Sequence, residues 1–192
     1  QTLGNVNFYH SDMKAYILEM QGLDSGYSFP YPLFFKLGAL FHLFINSPEL
    51  SIALAVTVLN SLSPLVLKYY MNKILMKECA EGNGSVSEKK QLWLGLFITA
   101  GVFTIFFVSM VYPPKGIYLP GIKNNYVGVF TPNPFHNATY NATRPFAMVA
   151  YFLFGKILSE YEDNMNLKDQ LLVALFLFLT TITKPSFTFI LV

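Results

Sequence analysis

The chain has 192 residues, of which 53% are hydrophobic and only 12% charged, whereas soluble domains carry about 25% charged residues. The formal net charge of +2 gives no basis for nucleic-acid binding. The single cysteine, Cys79, excludes an internal disulfide and a cysteine-based metal cluster. This composition, with its abundant Phe and Tyr, favours an integral membrane protein.

Residues 1–46 are predicted to form an external loop with two short juxtamembrane helices. Ser11 is suited to cap a first helix over Asp12–Met20, which is too short and too charged to cross a membrane. Leu33–Ile45 predicts a second surface helix, because segments of about 10–14 apolar residues are more often interfacial than spanning. The first helix is predicted to be amphipathic, with one apolar face: Met13, Tyr16, Ile17 and Met20.

Residues 47–192 are predicted to form a transmembrane module, whose first span covers residues 48–68. Residues 47–49 supply a capping serine, a proline for the first helical position and an acid for the first turn. Leu50–Leu67 is uncharged, and Pro64 predicts a kink. The polar, lysine-containing segment Asn72–Lys90 is then expected to be a cytoplasmic loop, because positive charge favours the inner side.

Leu92–Tyr112 carries the strongest membrane signal, because it has neither charge nor proline and matches the roughly 20 residues that cross a bilayer. Trp93 lies near its start, where amphipathic rings prefer the headgroup level. The alternative is a buried helix of a large soluble protein, but this chain has no core wide enough to hide one. Pro113–Arg144 is then expected to be a long external loop with a function.

Two shorter spans are predicted at about 145–159 and 169–183, and 185–192 begins a further one. Pro145 would occupy the first helical position of the earlier of these two spans. The predicted fold class is thus all-α, a polytopic transmembrane bundle of four crossings with two interfacial helices in the first external loop. Because the chain starts without Met and ends in an apolar run, we expect a fragment of a longer protein.

Asp12 is the first candidate for chemistry on the outer face. A carboxylate at the membrane surface can act as a general base or hold a cation near a phosphate. The alternative is an ordinary acid in the first turn of a helix. Lys184, followed by Pro185 at the outer end of a span, is suited to meet a lipid phosphate as a point charge, or simply to snorkel to the headgroups.

A second group of candidates lies in residues 135–144, just before a predicted span. Arg144 could grip a phosphate or simply anchor the helix at the headgroups. The glycosylation sequon occurs at Asn137 and Asn141, and again at Asn83, which is expected inside, so the pattern is weak. The polar residues of this group are His136, Asn137, Asn141 and Arg144.

The motifs of several other protein classes are absent from the sequence. It contains no GxGxxG, P-loop, HExxH, CxxC or nucleophile elbow, and His10, His42 and His136 are scattered. We therefore expect no metal site and no cofactor, and a divalent cation has no support. No acidic residue lies in the middle of a predicted span, which weakens the case for a proton-coupled transporter.

This order of parts resembles the GT-C glycosyltransferases, and the protein mannosyltransferase and aminoarabinose transferase branch most closely. Asp12 corresponds to the motif acid of the first external loop. Residues 31–47 resemble a segment of the type PPLYY…LF-G, although Tyr31-Pro32 stands where the family has two prolines. Thr183-Lys184-Pro185 resembles a TK-G/P helix end, and the 113–144 loop lacks the second acid that several members carry.

The resemblance implies a membrane glycosyltransferase that uses a polyprenyl-phosphate-linked sugar donor at the outer face. It implies that Asp12 is the catalytic base, and that Lys184 and Arg144 hold the donor phosphate. Residues expected to bind substrate are His10, His136, Asn137, Arg144 and Lys184. We expect membrane lipids as its surroundings and a bacterial cytoplasmic membrane as its location.

Two other classes of protein remain open at this point. A lipid or polysaccharide transporter would need polar residues along a membrane path. A non-catalytic assembly protein of the cell envelope would tolerate changes at Asp12, Arg144 and Lys184 together. Small polar residues within predicted spans are available for a transport path, although they are also common helix-packing residues: Asn60, Ser61, Ser63, Thr99 and Thr104.

Overall fold

The computed structural model describes residues 12–83, 87–108, 137–161 and 166–191, and every regular element in these ranges is a helix. The prediction of an all-helical fold is therefore confirmed for the described residues. The helices are α1 (Met13–Met20), α2 (Leu33–His42), α3 (Pro48–Asn83), α4 (Glu88–Val108), α5 (Ala138–Ser159), α6 (Leu167–Thr183) and α7 (Thr188–Leu191).

The two short helices α1 and α2 pack against α3 and the start of α5. The apolar face predicted for α1 is buried, and the edge of the Tyr16 ring meets Phe34 of α2, with ring centroids 5.9 Å apart. α2 ends at His42, three residues before the predicted end at Ile45, and the His42 ring contacts the Ile45 carbonyl at 2.9 Å. The buried cluster they share comprises Met13, Tyr16, Met20, Phe34, Phe35, Ile52, Ala55, Leu59, Ala138 and Ala142.

α3 begins at Pro48 as predicted, and the Ser47 hydroxyl accepts a hydrogen bond from the Leu50 amide, as an N-cap does. Its end differs, because the helix continues to Asn83 where the sequence suggested a loop over Asn72–Lys90. That loop prediction was wrong for most of its length. The segment after Tyr70 is rich in Lys, Leu, Met, Glu and Ala, which favour helix, so polarity alone did not end the helix.

Within the described ranges, one helix is long and apolar enough to cross a membrane by length and composition: Pro48–Cys79, in which an 18-residue stretch has a mean hydropathy of 2.0. α4 begins at Glu88 and covers the predicted span from Leu92 to Val108, and the remainder of that span lies outside the described residues. The four-crossing bundle stays a prediction.

α5 begins at Ala138, well before the predicted start at Pro145, so Pro145 lies inside the helix rather than at its first position. The side-chain oxygen of Asn137 caps the helix by accepting from the Tyr140 amide at 3.2 Å. Ala138 and Ala142 are both 1% exposed against the cluster shared with α1–α3. The Asn137 cap and the burial of Ala138 and Ala142 stabilise this part of the helix. They offset the loss of the one backbone hydrogen bond that Pro145 cannot donate.

α6 runs beside α5 and ends at Thr183, with Lys184 as its C-cap and Pro185 next, as predicted. Its start at Leu167 is capped by Asn166, slightly earlier than the predicted Asp169. Small buried residues line the contact between the two helices, and the Thr143 hydroxyl of α5 donates to the Thr180 carbonyl of α6 at 3.4 Å. This packing brings the start of α5 next to the end of α6.

Candidate functional site

Polar side chains from four separate parts of the chain meet where α5 begins and α6 ends. They come from the start of α1, the segment before α2, the start of α5 and the residue that ends α6. We call this group the Lys184 cluster, and its members are Asp12, Tyr16, Tyr31, Asn137, Thr139 and Lys184.

Lys184 is held by hydrogen bonds to the start of α5. Its ammonium donates to the Asn137 side-chain oxygen at 2.7 Å and to the Thr139 hydroxyl at 3.4 Å. It also lies 6.0 Å from the centre of the Tyr31 ring, within the range of a cation–π contact. Burial lowers the pKa of Lys184 from its usual value, and the negative charge of Asp12 acts in the opposite direction.

Lys184 can leave the axis of α6 because its backbone is extended, with φ −170° and ψ 120°. The following Pro185 disfavours a helical conformation for the residue before it. The sequence Lys-Pro therefore ends the helix and aims the lysine toward α5. A proline at this position explains why the predicted helix end was correct.

Asn137 organises the opposite side of the cluster. Its backbone is left-handed, with φ 61°, which Asn tolerates better than most residues. Its side-chain oxygen accepts from the Lys184 ammonium, from the Thr139 hydroxyl at 2.9 Å and from the Tyr140 amide. Because this oxygen already has three donors, Asn137 acts on Lys184 and on the start of α5, and is not free to accept from a substrate through that atom.

Tyr16 connects Asp12 to the buried core. Its hydroxyl donates to the Asp12 carboxylate at 3.3 Å, and its ring is 2% exposed. Burial raises the pKa of Tyr16, the Thr139 hydroxyl lowers it by a smaller amount, and the Asp12 charge raises it. The phenol therefore keeps its proton and remains a donor to Asp12 at neutral pH.

Thr139 is fully buried at the centre of the cluster, and sequence reasoning did not single it out as a site residue. It contacts Lys184 and Asn137 directly, and its hydroxyl also lowers the pKa of Tyr31, against the larger effect of burial. Its only signal in the sequence was its place in a glycosylation sequon. The second sequon begins at Asn141, which is 2% exposed, so a glycan there would not fit the folded protein.

Arg144 does not join the cluster. Its guanidinium lies 5.5 Å from the centre of the Tyr140 ring, one turn back along α5. The contacts described for the chain give it no hydrogen bond to Asp12 or Lys184. The other two expected substrate-binding residues, His10 and His136, lie outside the described residues.

The residues considered for a transport path differ in their exposure. Ser63 is buried and its hydroxyl bonds to the Leu59 carbonyl of its own helix. Thr99 is exposed and bonds in the same way to the Gly95 carbonyl. These bonds satisfy the hydroxyls locally, as helix-packing residues do.

The cluster pairs one carboxylate with one cation, an arrangement that suits proton abstraction beside anion binding. In the described ranges, no group of three or more His, Cys, Asp and Glu side chains is placed to hold a metal ion. Comparison with protein-family models, curated proteins and solved structures finds no match to this chain.

Proposed function

We propose that this protein is a polytopic membrane glycosyltransferase of the GT-C type, in a bacterial cytoplasmic membrane. It would move a sugar from a polyprenyl-phosphate-linked donor to an acceptor at the outer face. One observation carries the proposal: Lys184 and Asn137, both expected to bind substrate, are hydrogen-bonded to each other at 2.7 Å, and the negative charge of the expected base Asp12 acts on Lys184.

In the proposed reaction, Asp12 accepts the proton of the acceptor hydroxyl. The hydroxyl oxygen then forms a bond to the anomeric carbon, while the bond from that carbon to the donor phosphate breaks, with inversion. Charge grows on the leaving phosphate, and the Lys184 ammonium offsets it.

Exposed apolar side chains that follow α2 and continue along α3 fit a donor that carries a lipid tail. Leu43 and Phe44 follow α2 and are 78% and 82% exposed, and Leu50 at the start of α3 is 57% exposed. Exposed apolar residues then continue along α3, at Val58, Leu62 and Leu65. An apolar surface of this kind would let the lipid tail stay in the bilayer while the donor phosphate meets Lys184.

The test is sugar transfer by the full-length protein in lipid nanodiscs, with radiolabelled polyprenyl-phosphate sugars as donors. Asp12→Asn should lower the transfer rate by about 10²–10⁴-fold, because the amide cannot accept the proton. Asp24→Asn is the matched control, since Asp24 is an exposed acid of the next loop whose described bond is to the Gly26 amide. Full transfer by Asp12→Asn, or movement of donor across vesicles without transfer, would overturn the proposal.

A further inference from the structure

We infer that Tyr16 is a positioning residue that holds the Asp12 carboxylate toward the acceptor. This inference rests on the proposed function, in which Asp12 is the base. Its geometric support is the hydrogen bond from the Tyr16 hydroxyl to Asp12 Oδ2 at 3.3 Å.

Asp12 depends on another residue for its orientation. It is exposed, and although it occupies the N-cap position of α1, its side chain makes no capping hydrogen bond. Tyr16 lies one helical turn further on, where a side chain can reach back to it. Among the described contacts, the Tyr16 hydroxyl is the hydrogen-bond donor to this carboxylate.

The core, in turn, fixes the position of the Tyr16 ring. The Tyr16 ring packs edge-on against Phe29 and Phe34, with ring centroids 5.4 and 5.9 Å apart, and against Phe35 at 5.8 Å. These contacts come from the segment before α2 and from α2 itself. The hydroxyl that meets Asp12 is therefore placed by tertiary packing, and the Asp12 carboxylate supplies the hydrogen-bond partner that a buried tyrosine hydroxyl needs.

The first test is the kinetics of Tyr16→Phe in the full-length protein, which keeps the ring and removes only the hydroxyl. We expect kcat to fall about ten- to hundredfold, as for the loss of a hydrogen bond to a charged group. The KM for the donor should stay unchanged, because Lys184 and not Tyr16 meets the phosphate. An unchanged kcat, or a loss confined to KM, would contradict the inference.

A matched control separates positioning from general damage. Tyr70→Phe removes a hydroxyl from a half-buried tyrosine, whose ring stacks on Phe152 at 4.5 Å, away from the cluster. We expect this variant to keep the kcat of the unaltered protein. An equal loss of kcat in Tyr70→Phe and Tyr16→Phe would mean that removing a tyrosine hydroxyl at either position disturbs the fold. The inference would then fail.

The second test is a double-mutant cycle. If Tyr16 acts through Asp12, then Asp12→Glu with Tyr16→Phe should be hardly slower than Asp12→Glu alone, because the displaced carboxylate no longer meets the phenol. If the rate losses of the two substitutions multiplied instead, Tyr16 would act on a group other than Asp12. Absence of transfer by the unaltered protein would overturn the proposed function, whereas transfer with multiplying losses overturns only this inference.

Discussion

Lys184 lies where the end of α6 meets the start of α5, and its hydrogen bonds define what the cluster can bind. The Asn137 oxygen and the Thr139 hydroxyl hold its ammonium from one side. An ammonium has three donors, so one of them remains available for a phosphate oxygen. At the residue scale, the proposed function therefore makes a direct prediction for this side chain.

Lys184→Gln should lower sugar transfer by about 10²-fold or more, because the donor phosphate loses the positive charge that offsets its own. The measurement is transfer rate against donor concentration. Lys168→Gln serves as the control, since Lys168 is exposed at the first turn of α6, at the other end of that helix. Normal transfer by Lys184→Gln would remove the lysine from the mechanism.

Tyr16 should also make stability depend on alkaline pH. Burial, as the largest cause, raises its pKa above the ordinary 10.0, so the folded protein keeps this proton where the unfolded chain has lost it. The stability that Tyr16 contributes is thus fully present below pH 10 and is lost as pH rises above that value, by up to about 1.4 kcal/mol per pH unit.

Denaturant unfolding in detergent at about pH 9 and about pH 11 measures this effect. The unaltered protein should lose more stability between these two pH values than Tyr16→Phe does, because phenylalanine has no proton to lose. Burial lowers the pKa of Lys184, so its contribution rises with pH, but Lys184 is present in both proteins and cancels in the comparison. Equal losses would mean that Tyr16 is not protected by burial.

At the scale of helices, Gly38 lets three of them approach one another. A Cβ added there would lie 2.8 Å from the Met20 sulfur of α1 and 2.9 Å from Ile52 Cδ1 of α3. Both side chains would have to shift within the packed core to make room for the added Cβ. The close packing of α1 and α2 onto α3, which supports Asp12 and Tyr16, depends on Gly38 having no side chain.

Gly38→Ala should therefore lower the melting temperature, because overpacking costs about 1–3 kcal/mol and exceeds the roughly 1 kcal/mol gained in helix propensity. Gly155→Ala in α5 is the matched control, since its added Cβ meets nothing within 4 Å. We expect that variant to melt at or above the temperature of the unaltered protein. A higher melting temperature for Gly38→Ala would show that the three helices have room to spare.

The far ends of α5 and α6 are tied by an ion pair. Lys156 donates to the Asp169 carboxylate, whose side chain is 12% exposed, and lies 3.9 Å from the more exposed Glu160. A carboxylate that is largely buried depends more on its partner than one in solvent does. The pairing of these helix ends helps to hold the cluster at the opposite ends of the same two helices.

Asp169→Lys should lower the melting temperature, and the exchange Lys156→Asp with Asp169→Lys should recover most of the loss. Glu160→Gln, which removes the exposed neighbour of Lys156, should change the melting temperature little. The measurement is thermal unfolding in one detergent for all the variants. Failure of the exchange to recover stability would mean that packing around Asp169, and not charge, holds these ends together.

At the scale of the whole molecule, the length of α3 sets the distance between the Lys184 cluster and the polar, lysine-containing segment Asn72–Lys90. From Pro48 to Cys79 it has 32 residues, which at about 1.5 Å each span about 48 Å. A bilayer core is about 30 Å thick. If α3 crosses the membrane, Cys79 lies beyond the opposite surface from the cluster, whose Tyr16 packs with Ile52 in the first turns of α3.

Thiol labelling of intact cells that express the protein tests this arrangement. Cys79 should be protected from a membrane-impermeant reagent, because it would lie on the cytoplasmic side. Tyr27→Cys in a Cys79→Ser background should react, since Tyr27 is 67% exposed in the loop between α1 and α2. Labelling of both positions, or of neither, would argue against α3 as a crossing helix.

Local chemistry let the sequence predict several helix boundaries. Ser47-Pro48-Glu49 starts α3 and Lys184-Pro185 ends α6, because caps and prolines act within a turn or two of the chain. The start of α5 was missed, since its reason is distant: Ala138 and Ala142 are buried against residues of α1–α3. The length of α3 was missed because polar residues were interpreted as a loop although they favour helix.

The residue types of the candidate site were visible in the sequence, whereas their arrangement was not. Asp12 and Lys184 were chosen as polar groups at predicted helix ends, and Asn137 as part of a polar group before a predicted span, and the fold brings the three together. Tyr16 and Thr139 were not chosen, because an amphipathic pattern assigns Tyr16 to the core and Thr139 looks like part of a sequon. Only tertiary packing decides that these hydroxyls link Asp12 to Lys184, since hydrogen bonds between distant parts of the chain leave no periodic pattern in the sequence.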